Sequence, residues 1–374
     1  MPNTKLKTLL IITPGFPKNE ADTTCIPPQQ VFVKALKEVN PGLNIIVLTL
    51  TYPFVTDEYE WHGIKVISFG NKNKGRLFGV AAGVKMWLTL TRLHKQYQVA
   101  GLLSFWLGKC AYIADKFAKK NNLDHYCWLL GQDAKPGNKY VKKIKPQAGS
   151  LIAISDFIAK GLNTNYGILP AHIIPVGVDA AMFTTAGAVR DIDILGAGSL
   201  IPLKQYAIFL EMVKCLKYYS LDIKAVICGD GPERQMLAAL INTMGLEDNI
   251  TLVGELPHTE VLALMQRSKI LLHPSNYEGF STVCLEALYA GAQVVSFIRP
   301  MANDIPNWHI AANKEEMLEH LSTILRNKHP DYEPVIPYTV LDSALAIAKL
   351  FHYNAAAMVS NSRAMASNES FALK

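Results

Sequence analysis

Apolar and polar positions along the chain follow two alternating patterns. Short apolar runs, of which Leu9–Thr13 and Ile270–Leu272 are examples, are typical of parallel strands that are buried on both faces. Stretches of helical length separate most of these runs, for example at 109–121 and 204–218. Buried strands that alternate with helices indicate a doubly wound α/β sheet.

The alternation occurs in two groups, which are separated by residues 180–190, a stretch that lacks it and is interpreted as a linker. In the first group we predict strands at Leu9–Thr13, Ile45–Leu50, Ile64–Ser68, Ala100–Phe105, Tyr126–Leu130, Leu151–Ile154 and Ile173–Val176, and helices at 28–39, 78–95, 109–121 and 156–165. In the second group we predict strands at Asp193–Ala197, Ala225–Gly229, Ile250–Val253, Ile270–Leu272 and Val294–Ile298, and helices at 204–218, 232–244, 258–267, 281–290 and 314–327.

The two groups predict two Rossmann-like domains that face a cleft, residues 1–183 and 184–335. A last helix, 338–353, follows Pro334 and Pro337. The tail 355–374 is rich in Ala, Ser and Asn and has little periodicity, so we expect it to be flexible.

Length and composition narrow the class of protein. The chain has 374 residues, of which 50% are hydrophobic and 18% are charged, as expected for two globular domains. The opening MPNTKLK leads directly into a strand, so we expect no signal peptide, and no apolar run approaches the ~20 residues that span a bilayer. Six scattered cysteines without Cys-x-x-Cys spacing suggest neither a disulfide framework nor a zinc site. We therefore expect a cytoplasmic protein without a bound metal.

The stretch 269–298, KILLHPSNYEGFSTVCLEALYAGAQVVSFI, carries the clearest candidate chemistry. It predicts a strand, a turn-rich loop, a helix and a second strand, with the loop at the edge where open α/β sheets bind ligands. If the segment between Glu278 and Glu286 is helical, it rises by about 12 Å and both carboxylates face the same way. Carboxylates bind hydroxyls, and the helix N-terminus between them favours phosphate. This arrangement suits a nucleotide-sugar.

A simpler interpretation of the two glutamates is one acid at a helix start and one solvated acid. However, EGFSTVCLEALYAGAQVVS resembles the donor-binding segment of the retaining glycosyltransferases of family four, in which seven residues separate two glutamates. The resemblance implies that Glu278 holds hydroxyls of the donor sugar and that Glu286 holds the ribose. Residues between or beside them would also contact the donor, namely Gly279, Phe280, Ser281 and Thr282.

Three further segments of the second half resemble the same family. Gly198-Ser199-Leu200 with Lys204 resembles its Gly-Arg-Leu segment followed by a lysine, which implies that Lys204 and Ser199 contact the donor diphosphate. Alternatively, Lys204 is an ordinary exposed lysine. Cys228–Pro232 resembles a Gly-x-Gly-Pro turn, so Gly229 would approach the nucleotide, although a purely structural turn is the alternative. Val253–Leu256 resembles the segment that meets the base, with Val253 and Leu256 as its contacts, or it is a plain strand end.

The resemblance also extends to the first half, with two departures. Gly15 lies in the loop that would approach the diphosphate, but Thr23–Pro28 replaces the Gly-Gly pair common in the family. Gly131-Gln132-Asp133 resembles the acceptor-side segment, and Leu130 stands where many relatives have histidine. Asp133 would then lie near the reacting centre, or it caps the loop. In the resembling fold the last helix crosses back to the first domain.

The resemblance implies a GT-B fold and a retaining, metal-independent glycosyltransferase, with Lys204, Glu278 and Asp133 as catalytic residues and no cofactor. The substrate would be a nucleoside diphosphate sugar, with a UDP-sugar expected. The acceptor would be a glycan or a lipid-linked molecule, in bacterial envelope polysaccharide or glycolipid synthesis. Two alternatives stay open: a non-catalytic nucleotide-sugar binder or scaffold of this fold, and an enzyme such as a sugar-nucleotide epimerase.

Charge is distributed unevenly and bears on partners. Residues 1–180 hold 22 Lys and Arg against 11 Asp and Glu, and the remainder holds 15 against 20. The basic excess includes two groups beside apolar and aromatic residues: Lys72, Lys74, Arg76, Lys85, Arg92 and Lys95 around Leu77–Leu93, and Lys139, Lys142, Lys143 and Lys145 beside Tyr140 and Val141. Such groups suit an anionic bilayer surface, which predicts peripheral contact at the inner face of the cytoplasmic membrane. Alternatively, the helix buries its apolar face. No recognition motif for nucleic acid accompanies the charge.

Overall fold

The computed structural model describes residues 5–70, 75–183, 189–219 and 222–353, and these form two compact units. Unit 1 runs to Ile152, includes Pro170–Ile174 and resumes at Val340, whereas unit 2 comprises Ala153–Leu169 and Pro175–Thr339. Residues 153–169 thus group with unit 2, although the prediction placed them in the first domain. The predicted tail 355–374 and Lys72 and Lys74 lie outside the described residues, as does part of the predicted linker.

Unit 1 contains a mainly parallel sheet. Its strands are β1 (Lys7–Gly15), β2 (Asn44–Tyr52), β3 (Thr56–Trp61), β4 (Ile64–Phe69), β5 (Gln98–Phe105), β6 (His125–Leu129), β7 (Leu151–Ala153) and β8 (His172–Ile173). Within the described residues their order is β3-β4-β2-β1-β5-β6-β7-β8. The pairings of β1 with β2 and β5 are parallel, and β3 pairs antiparallel with β4. Leu9–Ile12 in β1 are all fully buried, as expected for a central strand covered on both faces.

The helices of unit 1 are α1 (Pro27–Val39), α2 (Gly75–Gln96), α3 (Lys109–Asn121), α4 (Lys139–Ile144) and α11 (Val340–Leu350). Helix α11 packs against α1, far away in sequence. Just beyond α11, Phe351 lies against β5, where a Cβ atom at Gly101 would approach its ring to 2.6 Å. The absence of a side chain at Gly101 therefore makes room for this contact.

Unit 2 contains a second parallel sheet. Its strands are β9 (Ile192–Ala197), β10 (Ala225–Cys228), β11 (Ile250–Gly254), β12 (Ser268–His273), β13 (Gln293–Ser296) and β14 (Trp308–Ile310). Within the described residues their order is β11-β10-β9-β12-β13-β14. Strands β10 and β11 follow on one side of β9 and strands β12 to β14 on the other, so the strand order switches at β9. The helices are α5 (Asp156–Tyr166), α6 (Tyr206–Tyr218), α7 (Arg234–Met244), α8 (His258–Gln266), α9 (Thr282–Tyr289) and α10 (Lys314–Arg326). Buried side chains from α6, α7 and α10 pack on one face of this sheet, among them Phe209, Leu237 and Leu321.

The predicted alternation of strands and helices is confirmed, but among the described residues two strands and one α-helix were missed. Strand β3, TDEYEW, is dominated by polar residues because it is an edge strand with much of its surface in solvent. Helix α4 has 6 residues and strand β14 has 3, too few to show a period. In the region that the structure describes, no helix combines the length and apolar character needed to cross a bilayer.

Candidate functional site

Two glycine turns bring the ends of β9 and β10 together in unit 2. Gly198 and Gly229 have φ angles of 137° and 140°, which residues other than glycine rarely adopt. A Cβ atom at Gly229 would lie 2.0 Å from the Gly198 carbonyl oxygen. Gly229 also donates its N–H to the Gly254 carbonyl at 2.7 Å, so the turn is joined to the end of β11 as well. The ends of the three strands thus lie close together, with backbone groups of two glycines at their junction.

Lys204 lies just beyond this surface and pairs with Glu278. It ends a short 3-10 turn, Pro202–Lys204, and Gln205 in the left-handed conformation then starts α6. The Lys204 Nζ lies 2.5 Å from Glu278 Oε2, and the two side chains are 19% and 23% exposed. An ammonium group has three N–H donors, so Lys204 keeps donors for a second anionic partner. Ser199 is exposed at the end of β9.

His273 supports the same carboxylate from the other side. Its Nε2 lies 3.3 Å from Glu278 Oε2 and 3.2 Å from the Ser275 hydroxyl. Burial alone would raise the pKa of Glu278, but the hydrogen bond from His273 and the charge of Lys204 outweigh it and lower the pKa to about 2. Burial lowers the pKa of His273, which favours the neutral ring that donates to the carboxylate. Glu278 is therefore a firmly ionised, doubly held acceptor.

The loop that carries Glu278 is fixed at several points. The Ser155 hydroxyl, which is buried before α5, donates to the Gly279 carbonyl at 2.5 Å. The Asn276 N–H donates to the Leu203 carbonyl at 3.2 Å, which joins this loop to the turn of Lys204. Phe280 is buried and stacks on Trp308. These contacts hold the loop without using the Glu278 side chain.

Helix α9 begins at Thr282, directly after the Glu278 loop. The segment 278–281 is not helical, so the helical spacing that the sequence analysis assumed between the two glutamates was wrong. Ser281 makes no side-chain cap and instead bonds with the thiol of Cys284. The first amides of the helix have no partner within it and offer donors to an anion.

Glu286, on the second turn of α9, pairs with a histidine from α8. The Glu286 Oε1 lies 2.8 Å from Nε2 of His258, and the two side chains are 14% and 13% exposed. Burial lowers the pKa of His258, but the hydrogen bond and the charge of Glu286 raise it overall. Nearby, the Leu256 N–H bonds with the Cys228 thiol, and Val253 is 36% exposed. The segment 253–258 thus lies beside both the glycine turn and Glu286.

Two predicted site residues lie in unit 1. Gly15 ends β1, and a Cβ atom there would come within 3.3 Å of the end of the Ile26 side chain, so a larger residue would press on Ile26. Asp133 is buried, and its carboxylate accepts the Leu130 N–H at 2.8 Å and a backbone N–H of Leu107. Burial raises the pKa of Asp133 to about 7. The described contacts of Asp133 are those of a loop cap, and its role at a reacting centre stays a prediction.

Sequence reasoning missed three residues that support the site: Ser155, His258 and His273. His273 ends an apolar strand five positions before Glu278, and that neighbourhood was the available signal. The partners of Ser155 and His258 are remote in sequence, so no local sequence pattern predicts these two contacts. Among the described residues, no group of three His, Cys, Asp or Glu side chains is arranged to hold a metal ion.

The chain, with its two doubly wound units, has the GT-B fold, as comparison with solved structures shows. HepE of Anabaena, in complex with UDP and glucose, superposes with a TM-score of 0.64 at 15% identity, over 97% of this chain and 99% of that chain. Sucrose-phosphate synthase of Thermosynechococcus elongatus gives a TM-score of 0.65 at 15% identity, over 98% of this chain and 100% of the other. The predicted fold is confirmed.

Sequence comparison finds similarity to glycosyltransferases in part of the chain. Residues 182–336 match the family model "Glycosyl transferases group 1". A 161-residue stretch is 29% identical to the MMP alpha-(1->4)-mannosyltransferase of Mycolicibacterium hassiacum, covering 41% of this chain and 38% of the relative. A 103-residue stretch is 27% identical to the 2-deoxystreptamine N-acetyl-D-glucosaminyltransferase of Niallia circulans, covering 28% of this chain and 26% of the relative. The matches thus span well under half the length of these relatives.

Proposed function

We propose that the protein is a retaining glycosyltransferase that moves a sugar from a nucleoside diphosphate sugar to an acceptor hydroxyl. The observation that carries this proposal is the ionised Glu278, held between Lys204 and His273 beside the start of α9. A carboxylate next to a cation and a helix N-terminus provides acceptors for sugar hydroxyls and donors for phosphate within one small region. The match of residues 182–336 to the family model "Glycosyl transferases group 1" supports the same reaction.

In the proposed reaction, Lys204, the Ser199 hydroxyl and the first amides of α9 stabilise the departing diphosphate. Preorganised donors of this kind are effective because they need no rearrangement as negative charge develops. The bond between the sugar carbon and the phosphate oxygen breaks, and the acceptor oxygen bonds to the same carbon from the same face. The acceptor proton passes to the departing phosphate. Glu278 holds the sugar hydroxyls and Glu286 holds the ribose, and the protein provides the positive charge without a metal ion.

A UDP-sugar is the proposed donor, because the HepE neighbour is solved with UDP and glucose. A thermal-shift screen against UDP-, GDP- and ADP-sugars tests the donor class, since a ligand stabilises the folded protein according to its affinity. We expect stabilisation by one class of nucleotide-sugar. No stabilisation by any of them would refute the proposal.

The two glutamates provide the sharper test. We expect Glu286→Ala to weaken nucleotide binding about ten- to a hundredfold and Glu278→Ala to reduce turnover by a similar factor, because each loses charge-assisted hydrogen bonds. Glu211→Ala, an exposed acid of unit 2, is the matched control and should change neither. Wild-type donor affinity and turnover in both site variants would exclude the assignment.

A second candidate function is a non-catalytic nucleotide-sugar binder. Ser199 replaces the arginine of the resembling family, so Lys204 is the cation of this segment, and it is already paired with Glu278. Donor binding without transfer to any acceptor or to water would favour this candidate. An epimerase would instead release a changed nucleotide-sugar, which chromatography of the donor detects.

We further propose that the acceptor is lipid-linked and that unit 1 docks on an anionic membrane at the cytoplasmic face. One face of helix α2 is packed into the core, because Ala82, Met86, Leu90 and Leu93 are buried. The alternative interpretation of this helix is therefore correct for that face. A second apolar stripe is exposed, however: Val80, Val84 and Leu88 are 60%, 54% and 62% accessible. These residues are spaced by four and therefore lie along one side of the helix.

Cations accompany aromatic rings on the neighbouring helices. Lys120 lies over Trp87 of α2, Lys116 over Tyr112 of α3, and both Lys139 and Lys143 over Tyr140 of α4, at 5.6–5.9 Å. Helix α3 packs against both α2 and α4, so these groups belong to adjoining helices. Amphipathic rings and lysines are the side chains that favour the interface of a bilayer, and each lysine near an anionic surface contributes about 1 kcal/mol.

Vesicle co-sedimentation tests the docking proposal. We expect binding to vesicles that contain phosphatidylglycerol, no binding to neutral vesicles, and loss of binding in high salt. The double variant Val84→Ser/Leu88→Ser should reduce binding, whereas Leu169→Ser, an exposed leucine of unit 2, should not. No binding to either vesicle, or equal binding by the double variant, would argue for a soluble acceptor.

A further inference from the structure

We propose that His258 is a positioning residue that holds the Glu286 carboxylate ready for the two ribose hydroxyls of the nucleotide; this rests on the proposed function. The imidazole belongs to α8 and the carboxylate to α9, so the contact joins two helices that pack against each other. Its length is 2.8 Å and both side chains are largely buried. Nothing in the proposed transfer reaction itself uses His258.

The position of His258 makes it a rigid support. It is the first residue of α8 and follows Pro257, whose carbonyl accepts the N–H groups of Glu260 and Val261 at 2.9 and 3.1 Å. On the same helix, Leu262 and Met265 are buried against unit 2. The ring is thus attached to a helix start that cannot shift without breaking these contacts.

The hydrogen-bonding capacity of the carboxylate fits this role. An ionised carboxylate has about four acceptor sites, and His258 occupies one of them on Oε1. Sites therefore remain on both oxygens for the two neighbouring hydroxyls of a ribose. A free glutamate side chain would lose rotamer entropy on binding, whereas the bond to His258 has already fixed its orientation.

The electrostatics of the pair point the same way. Glu286 raises the pKa of His258 despite the burial of the ring, so the contact strengthens when the imidazole carries a proton. Glu286 is the charged group that shifts the pKa of His258. The imidazole is therefore directed to this one carboxylate.

Calorimetry with modified nucleotides separates positioning from a merely structural role. The probes are UDP, GDP and ADP, each compared with its 2′,3′-dideoxy counterpart. For the nucleotide that binds, we expect His258→Ala to weaken the ribose form about tenfold and to leave the dideoxy form within about twofold. His258→Gln, whose amide can donate to the same oxygen, should recover most of the affinity. In a Glu286→Ala background, His258→Ala should have no further effect.

His309→Ala is the matched control, because His309 is a second partly buried histidine of unit 2, and its Nε2 lies 2.8 Å from the Gln293 side-chain oxygen. It should leave both nucleotide forms unchanged. The inference would be overturned, and the proposed function left standing, if His258→Ala weakened the binding of the ribose and dideoxy forms equally. The same holds if His258→Gln bound the ribose form no more tightly than His258→Ala. A wild-type protein that binds none of the three diphosphates would overturn the proposed function and the inference with it.

Discussion

Replacement of Glu278 by glutamine should destabilise unit 2 in a way that depends on pH. The change keeps the size of the side chain and removes its charge. Because Lys204 and His273 lower the pKa of Glu278 from 4.5 to about 2, the folded state favours the ionised form by about 3 kcal/mol, at 1.36 kcal/mol for each pH unit. The side chain is 23% exposed, so solvent screens this contact only in part.

The direction of the pH dependence follows from the lowered pKa. The stabilisation is fully present above pH 4.5, the pKa of an unperturbed glutamate, and is lost as the pH falls towards 2. We therefore expect the difference between wild type and Glu278→Gln to be constant from pH 7 to about pH 5.5. At lower pH the difference in unfolding free energy should become smaller than its value at pH 7, by about 0.8 kcal/mol at pH 4 and about 1.4 kcal/mol at pH 3.5.

Urea unfolding at several pH values measures this difference. Pulsed hydrogen exchange on peptides from 268–296 follows unit 2 separately, which matters because two units need not unfold together. Glu211→Gln is the control: Glu211 pairs with Lys314, but both side chains are more than 40% exposed, so the loss should stay below about 1 kcal/mol. A loss at Glu278 no larger than at Glu211, or a difference that does not narrow below pH 5, would refute the reasoning.

Three further predictions concern the same region. Lys204→Ala should raise the dissociation constant of the nucleoside diphosphate about tenfold or more and leave that of the nucleoside nearly unchanged, because in the proposed site the ammonium group contacts the phosphates and not the nucleoside. Equal losses of affinity for both ligands in calorimetry would contradict a place for Lys204 at the diphosphate. Ser155→Ala should lower the melting temperature and the turnover number together. The variant loses the hydrogen bond to Gly279, which contributes about 1 kcal/mol, and the N-cap of α5, which contributes a similar amount. A turnover number equal to that of the wild type would contradict the role of Ser155 in fixing the loop. Gly229→Ala should lower the free energy of unfolding, measured in urea, by about 3 kcal/mol or more. Gly245→Ala is the control and should lower it by about 1 kcal/mol, because a Cβ atom at Gly245 meets nothing within 4 Å. Similar losses in the two variants would contradict the close approach of Gly229 to Gly198.

The sequence predicted most of the fold because buried parallel strands and helices each leave a period. Strand β1 and helix α3 illustrate this, and the helix was predicted with the bounds that the structure shows. Strand β3 escaped because polar residues suit an edge strand as well as a loop. The short α4 was instead noticed as a run of lysines.

The site was predictable to a lesser degree. Resemblance identified Glu278, Glu286 and Lys204 as single residues, but their pairing depends on tertiary structure: Lys204 and Glu278 are 74 positions apart, and His258 and Glu286 are 28 apart. No local pattern encodes such distances. The helical geometry considered between the two glutamates is not observed, because the loop continues to Ser281 and the helix begins only at Thr282.

The contact of α11 with α1 has a consequence for the order in which the chain can fold as it is made. A ribosome that has completed β7 has made nearly all of unit 1, yet the helix that covers α1 is still almost 190 residues away. All of unit 2 is synthesised in that interval and has every one of its strands available first. Unit 1 is therefore completed only after unit 2, and until then α11 does not cover α1 and Phe351 does not fill the space beside Gly101.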